Sequence, residues 1–144
     1  MRVHLSCWLV QYRIFCKAGM SIYLAIAVGG SIGAMSRHWM SITTYQWLGA
    51  AFPYGTLAVN LLGSVLMGFL SVLLMYRLQV SDELRLGLLA GFLGSFTTFS
   101  TFAIDTLELG MDDSLVKALV YVMLSVLLCV LGALAGLLAA KQLI

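Results

Sequence analysis

The sequence predicts an all-α integral membrane protein of four transmembrane helices, and three observations carry that reading. Of 144 residues, 62% are hydrophobic and only 10% are charged, against about 25% charged in an ordinary soluble domain. The charges are also confined: no formal charge falls between Lys17 and Arg37, or within 38–76, 86–104 and 118–140. Finally, the connections between these stretches are too short for any soluble domain. A helix needs about 20 apolar residues to cross a bilayer, and the segments 22–40, 54–76, 85–107 and 115–140 meet that length.

The first stretch, 1–19, reads differently from the rest. It holds Arg2, Arg13, Lys17, Cys7, Cys16 and Trp8 before Met20 opens the first span. As a signal peptide its n-region is long, broken by polar residues and without a clear small-residue cleavage site. Residues 1–19 therefore read as an N-terminal extension from an upstream start, with 20–144 as the transmembrane domain and Met20 as its natural beginning. Counted from Met20 with alternating spans, Arg77, Arg85 and Lys141 lie on one side, and Arg37 and Lys117 on the other. That is almost no positive-inside bias, so insertion in both orientations and an antiparallel homodimer become possible. With Arg2, Arg13 and Lys17 included, the balance tilts to one side.

The first span carries a GxxxG pair, Gly29 and Gly33, with Gly30 and Ala34 alongside. The second span has Asn60, Ser64 and Gly68 at intervals of four, plus Gly63, and Pro53 stands just before it, where a missing N–H is harmless. The fourth has Gly132, Ala133 and Gly136. Apolar side chains gain little by leaving lipid for one another, so membrane helices associate through close backbone approach at small residues. These faces predict a tightly packed, oligomeric bundle.

The third span contains Gly91, Gly94, Thr97, Thr98, Phe99, Ser100, Thr101 and Phe102. Glycines and β-branched residues at mid-span signal a broken helix. Unwound backbone would expose carbonyls, which suit a hard cation such as sodium. Lipid cannot hydrogen-bond to such groups, so the segment must face protein, water or an ion.

Elsewhere the spans offer neutral hydrogen-bonding groups. Thr56 and Asn60 share one face of the second helix, and Tyr121 and Ser125 share one face of the fourth. A row of donors without a fixed cation suits a small anion that must bind and still leave. The blander role is also open: a membrane hydroxyl most often bonds its own helix carbonyl, and an asparagine can serve as interhelical glue. Phe99 and Phe102 are three apart, and a phenyl ring has a positive edge that could touch an anion.

Several functions are disfavoured. No span carries a central carboxylate, lysine or histidine, which counts against a proton-coupled multidrug exporter, and against metal transport. Net charge of +2 is too small and scattered for nucleic-acid binding. The three cysteines form no disulfide or zinc framework, and Cys129 in the fourth span reads as a small hydrophobe. A non-transporting assembly subunit would need nothing more than the glycine faces.

These residues, taken in order, resemble the Fluc (CrcB) fluoride channels of bacterial cytoplasmic (inner) membranes. The resemblance rests on Gly29 to Ala34 followed by Arg37, on Gly55 to Gly63, and on Gly91 to Gly94 leading to Thr97 to Phe102, with Tyr121 and Ser125 fitting the fourth helix. It implies a dual-topology antiparallel homodimer in membrane lipid that exports fluoride passively. By the same resemblance, Asn60 donates to fluoride, and Phe99 and Phe102 line the ion path. Thr56, Thr98, Tyr121 and Ser125 would mark the polar pathway, and Arg37 a vestibule. The backbone carbonyls of Gly94 and Thr97 would hold a structural sodium ion that is not transported. Asp105 stands where the family more often has glutamate.

Overall fold

The computed structural model describes residues 19–143, excluding the side chains of residues 112 and 113. The expectations about residues 1–18, including the start at Met20, therefore lie outside the described residues. All regular elements among the described residues are helices: α1 (Met20–Leu48) and α2 (Tyr54–Val72) are joined by a short loop. Next comes α3, which begins as Asp82–Leu86, widens through Gly87–Leu93 and closes with the turn Gly94–Phe96. After a two-residue break, α4 (Phe99–Glu108) continues the third segment, and α5 (Leu115–Lys141) ends the chain.

Among the described residues, three stretches are long and apolar enough to cross a membrane: Tyr54–Arg77, Asp82–Met111 and Leu115–Lys141. They coincide with the second, third and fourth expected spans. The first helix accompanies them with 29 residues but a more polar composition. Ser21, Ser31, Ser36, Arg37 and His38 interrupt its apolar run.

The first helix also runs past its expected end at residue 40. Thr43 and Thr44 return their hydroxyls to the carbonyls of Trp39 and Met40, at 2.9 and 2.8 Å, so these polar residues leave the helix intact. It stops at Gly49, whose φ of +79° suits glycine and whose N–H bonds the Tyr45 carbonyl. The third segment likewise starts earlier than expected, because the Ser81 hydroxyl caps Asp82–Leu86 by accepting from the Leu84 N–H. Ser114 caps α5 in the same way, through Val116 N–H at 3.2 Å.

Glycine sets the packing. A Cβ on Gly29 would run into the Gly87 carbonyl, and one on Gly33 into the Phe92 carbonyl. Thus α1 lies backbone to backbone along α3. On the other side, Gly68 faces the Ala133 carbonyl and Gly136 the Val65 carbonyl, which brings α2 against α5. Gly63 leaves room for the Thr97 methyl and the Phe96 ring, so α2 can also approach the break in the third segment. Large apolar side chains such as Leu119, Leu127 and Val130 remain exposed on the outside of α5, as lipid-facing residues would be.

Adding a methyl at Gly29 or Gly33 should therefore cost about 1–3 kcal/mol by overpacking against backbone that cannot swing aside. Gly110→Ala meets only the Ala118 Cβ at 3.7 Å and should be near neutral. Thermal unfolding in detergent checks this, with a clear drop expected for the first two variants alone.

Candidate functional site

The third segment breaks at Thr97 and Thr98, not at the glycines. Gly94 is helical (φ −63°, ψ −31°), whereas Thr97 (φ −79°, ψ 159°) and Thr98 (φ −149°, ψ 123°) are extended. Thr97 closes α3 by directing both its N–H and its hydroxyl to the Leu93 carbonyl, each at 3.0 Å. Thr98 opens α4: its hydroxyl accepts from Thr101 N–H at 3.2 Å and donates to the Thr101 hydroxyl at 3.0 Å. Both ends are thus finished by threonine side chains.

The backbone of the break remains to be satisfied. Asn60 supplies both partners of Thr98: its Oδ1 accepts the Thr98 N–H and its Nδ2 donates to the Thr98 carbonyl, both at 2.8 Å. The side-chain amide behaves as one more peptide group laid across the gap. This pairing also fixes which way the amide faces, because only the oxygen can accept from an N–H. One Nδ2 hydrogen is left over. There is a second consequence. In an unbroken helix the Gly94 carbonyl would accept from Thr98 N–H, and Asn60 takes that donor away. The Thr97 carbonyl accepts a longer bond, 3.4 Å, from Arg37 Nη1. Arg37 therefore reaches the break from the middle of α1, not from a helix end.

Beside the break lies a cavity of about 360 Å³, bordered among others by Asn60, Thr98, Phe99, Phe102, Ser125 and Cys129. Ser125 is 6% exposed, and its hydroxyl has no hydrogen-bond partner among the described residues. Phe99 and Phe102 stand with ring centroids 5.4 Å apart. Phe99, the first residue of α4, is 79% exposed. The first N–H groups of a helix lack intrahelical acceptors and carry partial positive charge, and α4 begins at Phe99 on the border of this cavity.

The remaining expected residues form a neighbouring cluster. Tyr121 is fully buried, with its ring against Phe102 at 5.3 Å and edge-on to Phe52 at 5.4 Å. Its hydroxyl donates to Asp105 Oδ2 at 3.3 Å, and Thr56 and Ser125 lie beside it. A second cavity of about 280 Å³, bordered by Asp105, Glu108, Tyr45, Phe52 and Pro53, opens next to this cluster. Sequence reasoning missed Phe52, Tyr45 and Glu108. The first two fell in what read as a connecting loop, while Glu108 continues the face of Phe102 and Asp105 and was legible from that spacing.

The donor chemistry also bears on a cation. Gly94 and Thr97 offer neutral carbonyl oxygens at the C-terminal, negative end of α3, a fit for a hard ion. The Arg37 contact to Thr97 is long and does not commit that oxygen. Two carbonyls do not enclose an ion, so the fit requires further ligands.

The sequence that builds this site has known relatives. A family model described as CrcB-like protein, Camphor Resistance (CrcB), matches residues 24–137. The chain belongs to the CrcB family. Among its relatives is the protein named fluoride-specific ion channel FluC of Magnetococcus marinus, 51% identical over 116 residues, covering 81% of this chain and 94% of that protein. The FluC of Geobacter sulfurreducens is 46% identical over 124 residues, 86% of this chain and all of that protein. The FluC of Methylococcus capsulatus is 50% identical over 119 residues, 83% of this chain. There the chain spans about half the length of its relative, 52%. As a CrcB-family member the chain is a multi-pass membrane protein, and the Asn60–Thr98 clamp lies within the matched region.

Two variants separate the structural from the ligand-facing polar groups. Asn60→Ala leaves both Thr98 backbone groups unpaired, at about 1–3 kcal/mol for an unpaired buried group, and should lower the unfolding temperature markedly. Ser125→Ala removes a hydroxyl that already lacks a partner, so unfolding should stay unchanged or move up. Thermal unfolding of both purified proteins checks the contrast.

Proposed function

We propose that the chain forms a fluoride-specific ion channel whose path runs through the cavity between α2, the break and α5. The meeting of Asn60, Thr98, Ser125, Phe99 and Phe102 around that one cavity carries the reading. A small anion in the cavity would draw the Ser125 hydroxyl toward itself and accept its proton. The spare Nδ2 hydrogen of Asn60 and the first N–H groups of α4 supply further donors. The edges of Phe99 and Phe102 add weak contacts and keep water out. Donors without a fixed cation bind a desolvated anion while letting it leave. Fluoride then moves passively down its electrochemical gradient, and export lowers its toxicity inside the cell. Thr56, Thr98, Tyr121 and Asp105 continue the polar path toward the second cavity.

All four helical segments span the membrane in this reading, α1 included, because its glycine face is already committed to α3 along the length of that segment. The exposed ring of Phe99 at the edge of the cavity supports a second copy that covers it. The near-balanced charges counted from Met20 support an antiparallel arrangement in a bacterial cytoplasmic membrane. Two copies would bring four carbonyls, from Gly94 and Thr97 of each, around a structural sodium at the dimer axis. Arg37, beside the Thr97 carbonyl, acts at the break in this scheme and not in an outer vestibule.

Fluoride efflux from proteoliposomes tests the assignment. The wild-type chain should release fluoride and retain chloride. Phe99→Leu/Phe102→Leu and Ser125→Ala, chosen to preserve volume and folding, should each slow fluoride release at least tenfold. Normal fluoride release from all of these variants would overturn the site.

A further inference from the structure

The cavity beside the break continues past Asn60 along α2, where its border takes in Ser64 and Met67, with Ala133 of α5 opposite. Asn60, Ser64 and Met67 stand at i, i+4 and i+7, so they form one stripe of the helix. Next to that stripe runs the seam that joins α2 to α5: Leu61 and Val65 meet Gly132, and Gly68 meets the Ala133 carbonyl. The seam residues are spent on packing. Ser64, at the edge of the seam, is only partly buried and borders the cavity.

Its hydroxyl also differs from others along the helices. Ser31 donates to the Ala27 carbonyl at 2.9 Å, Ser71 to Gly68 at 3.0 Å and Thr106 to Phe102 at 2.7 Å, the ordinary fate of a hydroxyl in a membrane helix. The equivalent acceptor for Ser64 is the Asn60 carbonyl one turn back. Ser64 makes no hydrogen bond among the described residues. Its donor is therefore uncommitted, and it lies beside a space whose border carries no formal charge among those residues.

We propose that Ser64 is a fluoride-binding residue, the station after Asn60 where the path runs along α2 away from Tyr121. Four residues of helix rise about 6 Å, so Thr56, Asn60 and Ser64 set polar groups at even steps along α2. A small anion stripped of water needs a new donor at each step, and each donor must hold it weakly enough to let it go. Past Ser64 the cavity is bordered by Met67 and Ala133, whose side chains have no donor. The Ser64 hydroxyl is what an ion meets between that apolar end and the Asn60 amide. The path thus has two arms from the break, one toward Tyr121 and Asp105 and one past Ser64.

This inference rests on the reading that the cavity conducts fluoride, and the experiment keeps the two apart. Full-length wild-type protein, Ser64→Ala and Ser71→Ala are compared by thermal unfolding and by fluoride efflux from proteoliposomes. Ser64→Ala gives up no hydrogen bond, so it should unfold at the wild-type temperature yet release fluoride at least fivefold more slowly. Ser71→Ala removes a hydroxyl from the same helix that is committed to the Gly68 carbonyl, and it should release fluoride at the wild-type rate. Wild-type efflux from Ser64→Ala would overturn the Ser64 assignment and leave the channel reading standing. Equal slowing in both variants, or a lowered unfolding temperature in Ser64→Ala, would overturn it too, by showing a structural role. A wild-type protein that releases no fluoride would overturn both readings together.

Discussion

The structure depends on one interaction, the pairing of the Asn60 side-chain amide with both backbone groups of Thr98. A membrane segment cannot interrupt its own hydrogen-bond ladder unless something replaces the lost partners. Here a single side chain replaces them in both directions, at 2.8 Å each. Without it the extended residues 97 and 98 would present an unpaired N–H and carbonyl to a medium with nothing to offer. With it, the third segment becomes two half-helices whose facing ends carry opposite partial charges. The end of α3 carries the carbonyl pole, and the start of α4 carries the N–H pole beside the cavity.

Close packing makes that interaction possible. Asn60 reaches the break because Gly63, one turn away on α2, has no side chain to hold Thr97 and Phe96 at a distance. On the far side, Gly29 and Gly33 press α1 onto α3 and bring Arg37 to the Thr97 carbonyl. Polar and small residues are thus parts of one device. The glycines permit the approach, and Asn60 and Arg37 satisfy the backbone that the approach encloses. On the proposed reading, anion recognition needs little added machinery: Ser125, two phenyl rings and the donors beside the break.

Much of this was legible in the residues. Charge-free stretches marked the second, third and fourth spans, and the small-residue spacing of α1 and α5 marked the faces they use. Asn60, Thr98, Phe99, Phe102 and Ser125 do meet around one cavity. Less legible was the site of the break. Gly91 and Gly94 suggested it, yet glycine tolerates a helix, and the break falls where two threonines can terminate α3 and cap α4 with their own side chains. Asn60 was read as a donor to an ion or as glue between helices. The structure shows the glue, and its leftover hydrogen leaves room for the donor. The extension of α1 to Leu48 was hidden because Thr43 and Thr44 look like loop residues until their hydroxyls return to the helix. Phe52 carried no periodic signal at all, since a loop positions it against Tyr121.

Amide hydrogen exchange at Thr98, followed by NMR in lipid nanodiscs with Leu93 and Gly33 amides as internal references, tests the clamp most directly. If the Asn60 amide holds the break, the Thr98 amide is strongly protected in the wild-type protein. Asn60→Ala then exchanges at least tenfold faster at that residue, while the reference amides keep their rates. A Thr98 amide that exchanges at the same rate with and without Asn60 would contradict the account.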